Sequence, residues 1–236
     1  MKTETLQQIL KDQKTKTAVA LATNLATGDQ GLIYLDDATG ALGADPQVIA
    51  AARDAMRDDK SRLVSLPSGD VFFHVYNPPL RMVLVGAVHI AQPLSRMASV
   101  AGYDVTVVDP RQSFATEERF PGITIVDEWP DDGLKSLDLD RRTAVVTLTH
   151  DPKLDDPALG VAIRSPAFYI GSLGSRKTHA GRVERLTREG FSAAEIGRIH
   201  GPVGLNVGAV SPAEIAVSIL AQVTAVLHAK EEKAAA

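Results

Sequence analysis

Apolar and polar residues follow two patterns along this chain, and the change falls at the Pro78-Pro79 pair. Before it, residues 3–13 predict a short helix, and "TAVALATNL" and "GLIYL" predict strands on either side of the turn "ATGDQ", a hairpin. "DPQVIAAARDAMRDDK" then places Asp45 at an N-cap and Pro46 in the first helical position, followed by apolar residues at helical spacing. "DVFFHVYN" predicts a strand running up to the proline pair. These elements predict a small α+β domain over residues 1–79.

From Arg81 onward, short continuous apolar runs alternate with helical patterns, as in a parallel sheet covered by helices. The predicted strands are "RMVLVG", "DVTVVD", "ITIVD", "TAVVTLT" and "AFYIG". The helix after the first strand ends near Gly102, and a helix before the fifth is opened by Asp156-Pro157 as N-cap and first residue. "SRKTHAGRVERLTREG" alternates charge as a solvated helix face does and stops at Gly190. Two capping boxes follow, Ser192 with Glu195 and Ser211 with Glu214, the second opening the long apolar helix "IAVSILAQVTAVL".

Composition removes several function classes. The chain has 236 residues, a net charge of -4 and no dense Lys/Arg block, so an extended nucleic-acid surface is not expected. No cysteine is present, which excludes disulfides, thiolate metal sites and cysteine nucleophiles. No apolar stretch suits a membrane span and the first residues are polar, so the expected location is the cytoplasm. "KEEKAAA" is expected to be a frayed tail.

The candidate chemistry begins at "GAVHIAQPL". In a dinucleotide fingerprint the first glycine makes the tight turn, the second admits the pyrophosphate, and the third lets the helix pack on the strand. Gly86 fits the first and Ala91 the third, while Val88 holds the second position and puts a branched side chain in the phosphate path. Asp109, at the end of the next strand, is placed to accept from a ribose hydroxyl. Pro93 requires the helix to start late, around Ile90 to Gln92, which leaves His89 at the turn. The fold class is therefore α/β: a Rossmann-like parallel-sheet domain over residues 80–236, preceded by the smaller α+β domain.

Two later turns add polar groups. "LTHDPKLDDPAL" sets His150, Asp151 and Asp155 at the carboxyl end of the fourth strand, where open α/β sheets bind ligands. "YIGSLGSRKTH" puts Gly171, Gly174, Ser175 and Arg176 on a turn entering a helix, an arrangement suited to anions. No metal-ligand spacing and no catalytic acid–base pair or nucleophile is evident, so neither metal nor catalytic residues are assigned. The plain alternatives are a packing role for His89, helix capping for the aspartates and a tight turn for the glycines.

Together "GAVHIAQ", "DVTVVDPR", "RFPG", "LTHDPKLDDPAL", "YIGSLGSRKTHAGRVERL" and "GPVGLNVGAVSPAEIAVSILAQ" resemble the Rossmann domain of the XdhC/CoxI family, maturation factors for xanthine dehydrogenase and related molybdenum hydroxylases. The resemblance covers about residues 80 to 228. It implies a cytoplasmic chaperone that binds the molybdenum cofactor, as molybdopterin or its cytosine dinucleotide. Such a chaperone protects the cofactor while a cysteine desulfurase-type sulfurtransferase installs its terminal sulfur, then delivers it to the apo-hydroxylase. By motif the cofactor-binding candidates are Gly86, Val88, His89, Asp109, Arg111, His150, Asp151, Gly171, Gly174, Ser175 and Arg176, with Gly204, Gly208 and Glu214 as supporting structure. Two departures stand out: Val88 replaces the family's glycine, and no cysteine is available to hold molybdenum or sulfur. Residues 1–79 resemble the family weakly and are expected to serve dimerisation, as a homodimer, or partner contact. The alternatives are an NAD(P)-dependent oxidoreductase with His150 beside the nicotinamide, and a nucleotide-sensing or scaffold subunit without catalysis.

Overall fold

The computed structural model describes residues 3–229, so "KEEKAAA" lies outside the described residues. The chain divides into two units, Met1–Pro78 and Pro79–Ala236.

In the first unit, helix α1 (Thr3–Lys14) precedes strands β1 (Val19–Asn24), β2 (Gln30–Ile33) and β3 (Ala38–Gly40). Helix α2 (Pro46–Arg57) and strands β4 (Arg62–Leu66) and β5 (Gly69–Tyr76) complete it. The sheet has the order β3-β2-β1-β5-β4 and every pairing is antiparallel. Alternation in β1 serves both faces. Ala20 and Ala22 pack with Val48, Ala52, Ala55 and Met56 of α2, while Val19 and Leu21 pack with Ile9 of α1. The predicted β1–β2 hairpin forms, and Asp45 caps α2 by accepting from the Gln47 N–H at 2.8 Å.

The second unit contains β6 (Leu80–Val85), α3 (Ala91–Val100), β7 (Tyr103–Val108), β8 (Thr124–Val126), α4 (Pro130–Ser136) and β9 (Thr143–Thr147). Then come α5 (Pro152–Arg164), β10 (Tyr169–Ser172), α6 (Arg176–Arg188), α7 (Ala193–Ile196), β11 (Ile199–His200) and α8 (Pro212–Leu227). The sheet is parallel throughout, with six strands in the order β11-β10-β9-β6-β7-β8. Helices α3 and α8 share one core with Met82, Leu84, Val105 and Val146. On the opposite face α4, α5, α6 and α7 pack against Val83, Val85, Val145 and Ile170. This is the doubly wound Rossmann arrangement. Because the chain runs from β6 to β7 on one side and returns to β9 on the other, a crevice opens between the carboxyl ends of β6 and β9.

Both capping boxes form as read, with Ser192 and Ser211 accepting from the N–H groups of Glu195 and Glu214. Pro93 sits in the first turn of α3, where its missing N–H has no intrahelical partner to lose. The helix expected to open at Asp156-Pro157 instead begins one turn earlier: Asp151 is the N-cap, accepting from the Lys153 N–H at 2.9 Å, and Pro157 lies inside the helix. Both Asp-Pro pairs carry the same local signal. The second is overridden because Asp156 is buried and its carboxylate is bound by Arg185 at 2.5 and 3.1 Å.

Candidate functional site

The crevice is built around Gly86. Its φ of +106° makes the turn out of β6, and a Cβ there would overlap Thr149 Cγ2, so only glycine lets the β6 and β9 loops meet this closely. The turn that follows leaves the N–H groups of Val88 and His89 without a hydrogen-bond partner among the described residues. Unspent amides at a helix start form an anion site, reinforced by the helix dipole. Val88, expected in the phosphate path, instead packs its half-buried side chain against the core under α3 and α8. His89 is exposed beside it.

Asp109 differs from the ribose-binding role expected of it. Its side chain is fully buried and accepts four hydrogen bonds: from the Ala87 N–H and Arg111 Nη2 at 2.7 Å, Arg111 Nε at 2.8 Å and the Arg111 N–H at 2.9 Å. Burial alone would raise its carboxyl, but the bonds from Arg111 and the two backbone N–H groups outweigh it and hold the group below the ordinary carboxylate range. No oxygen remains for a ribose. The acid ties the β6 turn to the end of β7 and holds Arg111, whose Nη1 makes no hydrogen bond among the described residues.

At the end of β9, His150 adopts φ +63°, a left-handed conformation that costs a non-glycine residue about 1 kcal/mol or more. Asp155 enforces it, accepting from the Thr149 hydroxyl at 2.7 Å and from the N–H groups of His150 at 3.1 Å and Thr149 at 3.3 Å. The imidazole itself is exposed. Asp151 and Asp155 both act electrostatically on Arg111, so the β7 and β9 ends face one crevice.

Gly86, Val88, His89, Asp109, Arg111, His150 and Asp151 are thus brought together at the ends of β6, β7 and β9. Among the described residues no hydrogen bond links Gly174, Ser175 or Arg176 to the first group, although His150 and the first turn of α6 line one cavity. Gly171, expected on a turn, lies inside β10, where the absence of a side chain admits Val203 and the Tyr169 ring. Ser175 spends its hydroxyl capping α6, accepting from the Thr178 N–H at 3.1 Å, and Arg176 is exposed at the start of that helix. Glu214 accepts from the N–H groups of Val210 and Ser211 at 2.8 Å, and Gly204 lets its loop approach Ser218 of α8, both structural roles. Gly208 has φ +75°.

Thr149, Asp156, Arg182 and Arg185 were not singled out by function in the sequence, whereas Asp155 was read at the carboxyl end of the fourth strand. The available signal was the acidic pair before Pro157 and an arginine pair three residues apart on α6. Arg182, expected on a solvated face, is 2 % exposed and lies 3.8 Å from Asp155 and 4.0 Å from Asp156. Among the described residues no group of three or more His, Asp or Glu could hold a metal ion, and no helix is long and apolar enough to cross a membrane.

Fold and crevice define a Rossmann-type domain with unspent backbone amides at the turn after β6 and a buried acid at the end of β7. The family model described as the XdhC Rossmann domain matches residues 82–223, and the chain belongs to this family. The chain is 32% identical over 158 residues to the molybdenum cofactor insertion chaperone PaoD of Escherichia coli, covering 66% of this chain and 43% of that one. It is 32% identical over 178 residues to a probable xanthine dehydrogenase subunit of Bacillus subtilis, covering 72% and 52%. It is also 33% identical over 153 residues to YqeB of E. coli, an uncharacterised protein, covering 65% and 28%. The chain therefore matches about a quarter to a half of the length of these relatives. A crystal structure described as a xanthine dehydrogenase from Bacillus halodurans has the same fold, with a TM-score of 0.72 at 23% identity over 98% of this chain and 66% of that one.

Proposed function

We propose that the chain is a maturation factor that holds the molybdenum cofactor for a xanthine dehydrogenase-type molybdenum hydroxylase. The observation that carries this reading is the reversal at the crevice: the acid an NAD enzyme offers to ribose is sealed inside, while donors for an anion remain unspent. The residues fit the phosphate-bearing end of such a cofactor. The Val88 and His89 amides would receive its phosphate or pyrophosphate, with Arg111 Nη1, His89 and His150 at the edges and Arg176 further along the sheet. When bound, the cofactor supplies the molybdenum redox centre of the hydroxylase. This chain's part is to bind and orient its anionic end and limit access of water, since it has no thiol to ligate the metal.

Kinship with PaoD supports the reading, because that relative is a molybdenum cofactor insertion chaperone. The partners that follow are an apo-hydroxylase and a cysteine desulfurase-type sulfurtransferase in the cytoplasm, with residues 1–79 serving dimerisation or partner contact. The choice between molybdopterin and its cytosine dinucleotide rests on whether both unspent amides meet a single phosphate or a pyrophosphate. Titrating the purified chain with both forms and with NAD(P)H, then adding apo-hydroxylase, tests the proposal. Cofactor binding with hydroxylase activation is expected. NADPH binding with substrate-dependent oxidation overturns it in favour of an oxidoreductase. Hydroxylase association without any cofactor binding overturns it in favour of a scaffold protein, a reading that Val88 and the absence of cysteine favour over the oxidoreductase.

A further inference from the structure

On the sheet face opposite α3 and α8, a cavity of about 290 Å³ opens between the first turns of α5 and α6. Its wall contains Arg182, whose side chain is 2 % exposed. The guanidinium donates from Nη2 to the Leu173 carbonyl at 3.1 Å, but Nε and Nη1 have no hydrogen-bond partner. A buried guanidinium with unspent donors is a rare and costly arrangement. Burial lowers Arg182 from its ordinary value, against the opposing pull of Asp155 and Asp156.

The two nearby carboxylates do not meet this need. They lie 3.8 and 4.0 Å from the guanidinium, beyond hydrogen-bond reach. Their oxygens are already engaged, those of Asp155 by Thr149 and His150 and those of Asp156 by Arg185. The unspent capacity of the wall is therefore donor capacity. Lys177, exposed in the first turn of α6, also lines the cavity and forms no ion pair among the described residues. Three cations, Lys177, Arg182 and Arg185, thus face two carboxylates. The amino ends of two helices of 13 residues each add partial positive charge. A divalent cation finds no free carboxylate oxygen here.

We infer that this cavity, which shares His150 with the rim of the β6–β9 crevice, is a second ligand site that takes the phosphate group of a small monoester. Arg182 Nε and Nη1 and Lys177 Nζ donate to the phosphate oxygens. The cavity is larger than a phosphate ion, and the space beside Pro152 and Gly181 takes the organic part. Its donors differ from those of the cofactor reading, since it uses neither the Val88 and His89 amides nor Arg111, although His150 borders both sites.

The test is calorimetric titration of the intact chain with inorganic phosphate, glycerol 3-phosphate and glycerol, together with amide chemical-shift mapping. Glycerol 3-phosphate is expected to bind, glycerol is not, and the shifts should centre on Lys177, Thr178 and Gly181. Equal affinity for inorganic phosphate overturns the monoester assignment while leaving a phosphate site. A charge-assisted hydrogen bond accounts for roughly tenfold to a hundredfold in affinity, so Lys177→Ala should weaken binding about tenfold and Arg182→Met about a hundredfold. Circular dichroism checks that the Arg182 variant folds. If it does not, Lys177→Glu carries the test, because its side chain is exposed. Absence of phosphate binding, retention of affinity in Lys177→Glu, or shifts confined to Val88 and His89 would overturn the site.

Discussion

Replacing Asp109 by asparagine isolates the bond that distinguishes this crevice from a dinucleotide site. The carboxylate is fully buried and each oxygen accepts two donors at 2.7 to 2.9 Å. In Asp109→Asn one oxygen becomes an NH₂ that faces two N–H groups, whichever way the amide is turned. Hydrogen bonds to a charged acceptor are worth about 1.5–3 kcal/mol each, and two are lost. Arg111 is 36% exposed, so its share is discounted for solvent screening, which leaves a loss of about 3 kcal/mol. Arg111→Met should cost at least as much, about 3–5 kcal/mol, because it leaves a fully buried carboxylate without its cation. At about 2–4 °C per kcal/mol for a unit of this size, Asp109→Asn should lower Tm by about 6–12 °C.

Urea unfolding followed by fluorescence gives the readout, because Trp129 is the single tryptophan and reports the second unit. The pH dependence supplies a second check. Since the folded carboxyl is held below its ordinary value of 3.8, its contribution is present above that pH and is lost as pH falls through the lower folded value. The gap between wild type and Asp109→Asn should therefore close in strong acid. A stability change under about 1 kcal/mol in Asp109→Asn or in Arg111→Met would refute the reasoning.

At Gly86, alanine meets both a φ of +106° and an overlap with Thr149 Cγ2, so the second unit should lose about 2–4 kcal/mol, and a loss below about 0.5 kcal/mol in urea would contradict the turn's role. Val88→Gly removes a side chain packed on the core, so it should cost about 1–2 kcal/mol and leave pyridine-nucleotide affinity within about twofold; a tenfold gain measured by titration would restore the steric block. His179 and His200 are both lowered from 6.5, each chiefly by burial and His179 also by Arg182. Their neutral forms are favoured on folding, so stability should fall as pH drops below 6.5 towards the folded values, and a His179→Gln, His200→Gln double variant should flatten the urea midpoint between pH 7.5 and 5.5. An unchanged slope would show that neither imidazole drives it.

The Rossmann sheet was legible because its signals are local. Continuous apolar runs mark buried parallel strands, Gly86 marks the turn, and Ser192 and Ser211 mark helix starts by chemistry complete within four residues. The β4 strand gave too little signal: "RLVSL" alternates over only five residues at the sheet edge. The start of α5 could not be chosen locally, since Asp151-Pro152 and Asp156-Pro157 are equivalent as caps. What decides between them is Arg185, 29 residues beyond Asp156.

The same cause explains the candidate site. Position was readable and direction was not: an acid at the end of β7 looks alike whether it faces a ribose or an arginine two residues on. Asp109, Asp155, Asp156 and Arg182 are all charged groups drawn inward at the carboxyl ends of β7 and β9 or onto the helices behind them, and a helical pattern counts such residues as solvated. Burying charge is costly, and well-packed apolar residues at the same places are often at least as stable. Stability alone is therefore a poor account of why four such groups converge here. What they do in the structure is fix geometry: Asp109 holds Arg111 at the crevice edge, Asp155 holds His150 in a left-handed conformation, and Arg182 stands behind Asp155 with donors unspent. A site that presents fixed donors to an anion gains from that rigidity, because less freedom remains to be lost on binding. If so, Asp155→Asn should weaken anion binding at the crevice while leaving the sheet intact, whereas a purely structural role would lower the urea midpoint and spare affinity.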